Sequence, residues 1–361
     1  MIPYEGWDRE YQENREKYLE LFDAIMCKNK CEDIEWFEQK FADYIGRKHA
    51  VGVANATDAL FFSLLAHGIG PGDEVLVADF SWISTSSCIS MAGATPVFCD
   101  IDIDSYHISL DSIKRMYSPR VKALIYTHLF GNMTDTTEIE QFCKEKGIAL
   151  IEDAAQSLGS SLNDRKAGTI GDSSSFSFNT NKVIAGINGG GVYLTDNNEL
   201  ADYVKQIRKH GKSKDFEILG YNSKMYALNA GVIDIRMQSL LANQKTRQQI
   251  ADEYKLFFED LPVVLPPVTA GADHNYHKYV IRCRNKQDRK QLKNSIAASI
   301  HYEIPLSSNS MYEKIEHRKD NCESSQQASD TVLSLPVHAW LRDQEIKQIA
   351  TLVTKHYTGL K

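Results

Sequence analysis

One lysine, Lys182, stands apart from the other basic residues of the sequence. It lies in the stretch SSSFSFNTNKVIAGINGGGVYLTD, between an apolar run that alternates as a strand does and a second strand that follows three glycines. The residues from 173 to 195 contain no acidic side chain, so no carboxylate close in sequence would hold the proton of this amine. A lysine in such a position is suited to act as a nucleophile, which requires a neutral amine.

Other polar residues follow further predicted strands. In an open α/β sheet, ligands bind outside the carboxyl ends of the strands. The residues at these ends are Thr57, Asp58, Ser81, Trp82, Asp153, Gln156, Ser177 and Lys182. Each of them alone is compatible with a structural role such as a helix cap, a core aromatic or a solvated lysine. Their occurrence together at successive strand ends favours one shared ligand site.

One cofactor, pyridoxal phosphate, would use all of these side chains. It needs a lysine amine for a Schiff base, a carboxylate that keeps its pyridine nitrogen protonated, a flat surface against its ring and donors around its phosphate. Lys182 offers the amine, Asp153 the carboxylate and Trp82 the stacking surface. Amides at the start of the helix that contains Thr57, with the hydroxyls of Thr57 and Ser177, would bind the phosphate.

The elements that must position these residues alternate along the first two thirds of the chain. After the helical pattern IEWFEQKFADYIG, short apolar strands alternate with helices up to the strand IALIEDAA. This alternation indicates right-handed crossovers and a mainly parallel sheet that is covered on both faces. We therefore predict an α/β fold, a three-layer sandwich around a mostly parallel mixed sheet.

A smaller domain is expected at the carboxyl-terminal end. A long helical stretch from about Ile233 leads to the proline-rich segment LPVVLPPVTAGAD, which is the strongest boundary signal in the sequence. Beyond it, YHKYVIRCR alternates as a strand, IHYEIPL is extended, and KQDRKQLKNSIAASI and RDQEIKQIATLVTKHY have helical spacing. We predict a large domain over residues 1–235, with an N-terminal helical segment, and a connecting helix with a small α+β domain over residues 236–361.

Composition argues against several classes of protein. The 361 residues carry a formal net charge of −7 with interspersed signs, so a nucleic-acid partner is not expected. The N-terminal stretch is charged throughout and no apolar run is long enough to span a membrane, which predicts a soluble, cytoplasmic protein. The seven cysteines are scattered, with CKNKC (Cys27 to Cys31) the one close pair, and predict reduced thiols and no metal site.

The stretch EDAAQSLGSSLNDRKAGTIGDSSSFSFNTNK resembles the signature of the DegT/DnrJ/EryC1/StrS sugar aminotransferases, which are fold-type I pyridoxal-phosphate enzymes. Segments such as VGVANATDAL, HGKSKDFEILGYNSKMYALNAG and VLSLPVH extend the resemblance over nearly the whole chain from about Phe37. The resemblance implies that Lys182 forms the Schiff base and Asp153 pairs with the pyridine nitrogen. It also implies that Gln156 lies near the ring hydroxyl and Trp82 stacks on the ring.

The resemblance further implies phosphate contacts and a dimer. Thr57, Asp58 and Ser177 match phosphate contacts of the family. Asn222, in GYNSKM, matches an asparagine that reaches the phosphate across a dimer interface, which implies a homodimer with composite active sites. Substrate contacts are expected from four further residues, Lys212 in the basic segment RKHGKSK, Lys224, and His301 and Tyr302 in IHYEIPL.

The sequence departs from the family pattern at three places. Ala56 stands where the family usually has glycine, and Lys224 stands where arginine is usual. At Lys224 a bidentate grip on a carboxylate is thereby replaced by a point charge. FNTNK replaces the common FYPTK or FHPxK, which leaves the lysine in place but predicts a different loop shape.

The resemblance implies transfer of an amine, from L-glutamate, to a keto carbon of a nucleotide-linked deoxysugar for glycan, O-antigen or natural-product biosynthesis. IHYEIPL is similar to the branch that aminates the third carbon, whereas the short spacing from Lys182 to the glycines at 189–191 is similar to the branch that acts on the fourth. We favour the third carbon.

Three other functions come from the same resemblance. Cyclitol or aminobenzoate-type aminotransfer within the family is compatible with every residue named above. Related dehydratases carry histidine in place of the lysine, so Lys182 argues against that activity. A non-catalytic protein of this fold would be expected to have lost Asp153, Lys182 or the phosphate contacts, and all of them are present.

Overall fold

The computed structural model describes residues 3–28, 33–212 and 216–359. Its helices are α1 (Trp7–Lys28), α2 (Glu35–Ile45), α3 (Ala56–Ala66), α4 (Ser84–Met91), α5 (Leu110–Met116), α6 (Thr137–Lys146), α7 (Asn198–Ile207), α8 (Ala227–Met237), α9 (Leu240–Phe258), α10 (Lys286–Ser295), α11 (Glu323–Thr331) and α12 (Asp343–Thr358). Its strands are β1 (His49–Val53), β2 (Glu74–Ala78), β3 (Thr95–Cys99), β4 (Val121–Thr127), β5 (Ala149–Asp153), β6 (Ser161–Leu162), β7 (Arg165–Lys166), β8 (Ser173–Ser177), β9 (Gly191–Thr195), β10 (Ala272–Asp273), β11 (Tyr279–Arg282), β12 (Arg318–Lys319) and β13 (Val332–Leu335).

Eight strands form the central sheet, in the order β1-β9-β8-β5-β4-β2-β3-β12. Strand β9 is antiparallel to both of its neighbours, β1 and β8. The other adjacent pairs are parallel. The predicted α/β fold with a mostly parallel mixed sheet is therefore confirmed. Because seven strands run in the same direction, their carboxyl ends meet at one edge of the sheet.

Two apolar cores cover the two faces of the sheet. Neighbouring residues of β2 enter different cores, because successive side chains of a strand point to opposite faces. Val75 packs in the core that contains Phe62 of α3, whereas Leu76 packs in the core that contains Phe41 of α2. Helices therefore lie on both sides of the sheet and form three layers.

The carboxyl-terminal residues build a third apolar cluster. Strands β11 and β13 pair as an antiparallel ribbon, and α9 and α12 pack with them around Tyr254 and Val353. Two short strands of this region pair with other parts of the chain, β12 with β3 in the central sheet and β10 with β6. The division of the chain at residue 235 stays a prediction.

The structure divides the helical stretch predicted from about Ile233 into two helices, α8 and α9. Ile233 of α8 is buried in the core beside the central sheet, whereas Ile250 of α9 is buried in the carboxyl-terminal cluster. The chain turns at Gln238 and Ser239 because the two helices bury their apolar faces in different cores.

A close backbone contact joins the start of β9 to the start of α3. Gly190 forms a bridge with Asn55, the residue that caps α3. A Cβ atom on Gly191 would lie 2.3 Å from the carbonyl carbon of Asn55 and 2.6 Å from the amide nitrogen of Ala56. Glycine is required here because no side chain could be accommodated without moving the backbone. The contact holds the start of α3 beside the loop that carries Lys182.

We expect Gly191→Ala to lower the free energy of unfolding by about 1–3 kcal/mol, as overpacking in a tight interior does. Gly70→Ala is the matched control, because the nearest atom to a Cβ at that position is 3.7 Å away. Urea denaturation followed by fluorescence measures both variants. Equal stability of the two variants would show that the backbone at Gly191 yields to a methyl group.

Candidate active site

A cavity of ≈ 650 Å³ opens at the edge of the sheet where the parallel strands end. The start of α3, the residues after β5 and the loop between β8 and β9 contribute to its wall. The structure brings eight of the predicted site residues to this wall, namely Thr57, Trp82, Asp153, Gln156, Ser177, Lys182, His301 and Tyr302. Four others, Asp58, Lys212, Asn222 and Lys224, do not line it.

Asp153, the last residue of β5, presents a buried carboxylate to the cavity. The Ala155 amide donates to its Oδ1 at 3.1 Å, and the Thr85 hydroxyl donates to its Oδ2 at 3.1 Å. Ser81 lies 3.0 Å from the same Thr85 hydroxyl, so a short hydrogen-bonded chain fixes the carboxylate. Burial raises the pKa of Asp153 above its ordinary value, although these hydrogen bonds and the charge of Lys182 oppose that shift.

Lys182 lies in the loop after β8, and its backbone amide donates to the carbonyl of Asn179 at 2.9 Å. Burial lowers the pKa of Lys182 to about 8, although the charge of Asp153 acts in the opposite direction. A substantial fraction of this amine is therefore neutral at physiological pH, unlike that of an ordinary lysine. The indole nitrogen of Trp7 donates to the carbonyl of Thr180 at 2.5 Å and so covers the outside of this loop.

The start of α3 is arranged as an anion site. The Asn55 side chain caps the helix by accepting from the Asp58 amide at 2.8 Å. The remaining amides of the first turn, those of Ala56 and Thr57, have no partner within the helix. The Thr57 hydroxyl donates to Ser84 at 2.8 Å, and Ser177 lines the same part of the cavity. These groups together could hold a phosphate at the positive end of the helix dipole.

Gln156 and Tyr302 form another part of the wall. The Gln156 amide nitrogen donates to the Tyr302 hydroxyl at 3.1 Å, and its amide oxygen accepts from the Phe130 backbone at 2.9 Å. The ring of Trp82 lies 5.9 Å from that of Tyr302 and is more than half exposed. Next to Tyr302, His301 hydrogen-bonds to Ser334 at 2.8 Å. The exposed ring of Trp82 thus offers a flat surface to a ligand in the cavity.

The four predicted residues outside the cavity have other surroundings. Asp58 accepts hydrogen bonds from Asn55 and from Ser223, at 3.1 and 2.6 Å, instead of facing the cavity. Asn222 is exposed and pairs with Lys209 in an isolated bridge. The ammonium of Lys224 lies 5.7 Å from the ring of Tyr226, and Lys212 is exposed. Three residues of RKHGKSKD, at 213–215, and Cys31 lie outside the described residues. Substrate or phosphate contacts by these four residues stay predictions.

Sequence reasoning missed three side chains of the site. Thr85, which holds Asp153, lies in an ordinary helix pattern. His277 and Lys278 line the cavity together with Lys182, yet the stretch YHKYVIRCR is predicted only as a strand. No local signal in the sequence identifies them, because their place in the cavity depends on contacts between elements distant in sequence.

Pyridoxal phosphate fits this cavity by its chemistry. The buried Asp153 carboxylate forms no ion pair with a cation of the described chain, so a protonated ring nitrogen would satisfy it. The amine of Lys182 and the helix start at Thr57 face the same space. The described residues contain no cluster of acidic, histidine and cysteine side chains suited to hold a metal ion.

The class of protein that this fold and cavity define is a pyridoxal-phosphate-dependent aminotransferase, and comparison with known proteins confirms it. The sequence model of the DegT/DnrJ/EryC1/StrS aminotransferase family matches residues 9–354, and the chain belongs to that family. The predicted family, enzyme class and cofactor are therefore correct. None of the described helices combines the length and apolar character needed to cross a membrane.

Relatives and solved structures agree over almost the full chain. The chain is 33% identical, over 89% of its length and 88% of the relative's, to UDP-N-acetyl-3-dehydro-alpha-D-glucosamine 3-aminotransferase of Acidithiobacillus ferrooxidans. It is 32% identical, over 90% of each chain, to dTDP-3-amino-3,6-dideoxy-alpha-D-galactopyranose transaminase of Aneurinibacillus thermoaerophilus. A crystal structure of S. venezuelae DesV with a ketimine intermediate has a TM-score of 0.94 at 27% identity, and the similarity covers 100% of this chain and 99% of that one.

We expect the amine of Lys182 in the cofactor-free protein to titrate near pH 8, because burial disfavours its charged form. Acetylation at a series of pH values, with peptides quantified by mass spectrometry, measures this midpoint. Exposed Lys122 is the internal reference for the reagent and for peptide recovery. In Asp153→Asn the midpoint should fall further, since a nearby negative charge is lost. A midpoint for Lys182 near about 10.4, the ordinary pKa of a lysine, would contradict the assignment.

Proposed function

We propose that the protein transfers an amino group from L-glutamate to the third carbon of a keto sugar linked to a nucleotide, in the cytoplasm. The observation that carries this proposal is the amine of Lys182 and the buried carboxylate of Asp153 in one cavity of a chain of this family. The two relatives described above support the choice of carbon, because the name of each places the amine at position 3.

Different residues of this chain would carry out different parts of the transamination. Bound pyridoxal phosphate supplies an electron sink and carries the amine between the two substrates. Lys182 would anchor the cofactor. As a free amine with a pKa of about 8, it would then carry a proton from the alpha carbon of the amino-acid donor to the cofactor. Asp153 would stabilise the positive charge of the ring nitrogen. Thr57 and Ser177 would bind the phosphate, and Trp82 would lie against the ring.

We also propose a homodimer whose active sites are shared between subunits. Asn222 does not line the cavity of its own chain, so its predicted phosphate contact requires a second copy. Large apolar side chains near it are exposed, among them Phe216, Leu219 and Tyr226, and Leu219 is 84% exposed. Soluble monomers rarely expose such clusters, whereas subunit interfaces bury them.

The purified protein should convert a 3-keto sugar nucleotide and L-glutamate to the amino sugar and 2-oxoglutarate. Lys182→Ala should have no activity, because the substitution removes the amine that forms the Schiff base and carries the proton. Asp153→Asn should keep bound cofactor but lose turnover by a factor on the order of 10²–10³, as loss of other electrostatic stabilisation does. Mass spectrometry of the products gives the activity of the wild type and of both variants.

The substrate panel for this assay includes 4-keto sugar nucleotides and a keto cyclitol. Faster turnover of a 4-keto sugar would assign the amination to the fourth carbon. Turnover of the cyclitol alone would refute the sugar-nucleotide assignment. Activity of Lys182→Ala equal to that of the wild type would refute the mechanism itself.

Mixing Asn222→Asp with Lys182→Ala tests the shared site. Each variant alone should be inactive, because aspartate repels phosphate and alanine supplies no amine. After subunit exchange, the mixed dimer combines an intact lysine from one chain with an intact asparagine from the other, and about one quarter of wild-type activity should return. Native mass spectrometry verifies the mixed dimer. If mixed dimers form and activity stays absent, Asn222 serves its own chain.

A further inference from the structure

Lys278 is a buried lysine that the mechanism above does not use. It precedes β11, is only 6% exposed and lines the cavity together with Lys182. Its ammonium lies 5.1 Å from the centre of the Tyr4 ring. Among the described residues it forms no ion pair, because no carboxylate oxygen comes within contact distance of it. A buried ammonium without a counterion is costly to a fold, so it points to a ligand that the chain itself does not supply.

A smaller space adjoins the cavity at Lys278. Its wall is formed by residues of the N-terminal segment, of α9 and of the region around β11 and β13, and includes Tyr4, Glu5, Trp7, Arg247, His277 and His338. Lys182 and Lys278 border both spaces. Thr57 and Ser177, the residues placed for a phosphate, border only the larger one. Lys278 therefore borders a space that the residues placed for the phosphate do not border.

Positive charge exceeds negative charge around this smaller space. Arg247 is buried and donates to the carbonyls of Tyr276 and Val337, at 3.1 and 2.6 Å, so neutral groups rather than a carboxylate hold it. Glu5 is the acidic residue of the wall, and the Trp7 indole donates to its carboxylate at 3.1 Å. Burial lowers the pKa of Lys278 to about 7; Glu5 opposes this shift, while Arg247 and Lys182 strengthen it.

We propose that Lys278 binds a carboxylate of a substrate next to the reacting carbon, with Arg247 adding positive potential behind it. The proposal rests on the proposed function, because it names the chemistry of a substrate of that same site. A carboxylate would accept a charge-assisted hydrogen bond from Lys278 and so offset the free-energy cost of burying Lys278 and Arg247. Two substrates could bring it, namely the amino-acid donor or an acidic sugar on the nucleotide.

Lys278→Met removes the charge and keeps a similar volume, and Lys278→Arg keeps the charge. Calorimetry on the cofactor-loaded protein measures binding of glutarate, an unreactive dicarboxylate, and of UDP-glucuronate and UDP-glucose. We expect Lys278→Met to weaken binding of at least one carboxylate probe about tenfold or more, as loss of one partner of a buried charge pair does. Binding of UDP-glucose should stay unchanged, and Lys278→Arg should restore part of the loss.

The pattern of losses identifies the source of the carboxylate. Weaker binding of glutarate alone assigns Lys278 to the amino-acid donor, and loss of the preference for UDP-glucuronate over UDP-glucose assigns it to the sugar. Unchanged binding of both carboxylate probes would overturn the proposal. An equal loss for UDP-glucose would overturn it as well, because a general distortion of the site would then explain the result.

Two controls complete the experiment. Lys122→Met removes an exposed lysine outside the cavity and should change none of the affinities. Lys278→Gln is measured in parallel, so that a poorly folded methionine variant does not prevent the test. Because binding is measured without turnover, these results stand apart from the assay of the proposed function. Wild-type protein that aminates no keto sugar would refute that function and leave the glutarate result intact.

Discussion

Lys182 and Asp153 share one cavity without forming an ion pair, and the chemistry of the site depends on this separation. Direct contact would hold the amine protonated and would use up the negative charge that a cofactor needs. The sheet imposes the distance, because Asp153 ends β5 whereas Lys182 lies in the loop beyond the neighbouring parallel strand β8. Burial then acts on the two groups in opposite senses, since it lowers the pKa of the lysine and raises that of the aspartate.

The antiparallel strand β9 makes this arrangement possible. It returns the chain along β8 and begins at the same edge at which the parallel strands end, so the loop with Lys182 stays above the cavity. The side chain of Asn229 in α8 fixes the far part of this loop by accepting from the Ile187 amide at 2.7 Å and donating to the Gly189 carbonyl at 2.8 Å. One short strand thus joins the anion site of α3 to the loop that carries the amine.

Much of this site could be predicted from the sequence, because its residues follow strands that the hydrophobic pattern identifies along the chain. Asp153 and Lys182 are recognisable from the apolar runs before them, and parallel strands bring their ends together. Thr85 and Lys278 could not be predicted in this way, because their proximity to the cavity depends on contacts between elements distant in sequence. The division between α8 and α9 had no local signal either, since it follows from the two cores into which the helices pack.

The two ends of the chain meet beside the cavity. The Arg9 guanidinium forms a bidentate ion pair with Glu345, at 2.7 and 2.8 Å, and Trp7 lies against Trp340, with ring centres 5.7 Å apart. Trp7 also covers the loop of Lys182 through the carbonyl of Thr180. During synthesis on the ribosome, Trp340 and Glu345 are made long after Trp7 and Arg9. This side of the cavity can therefore form only after residue 345 has left the ribosome.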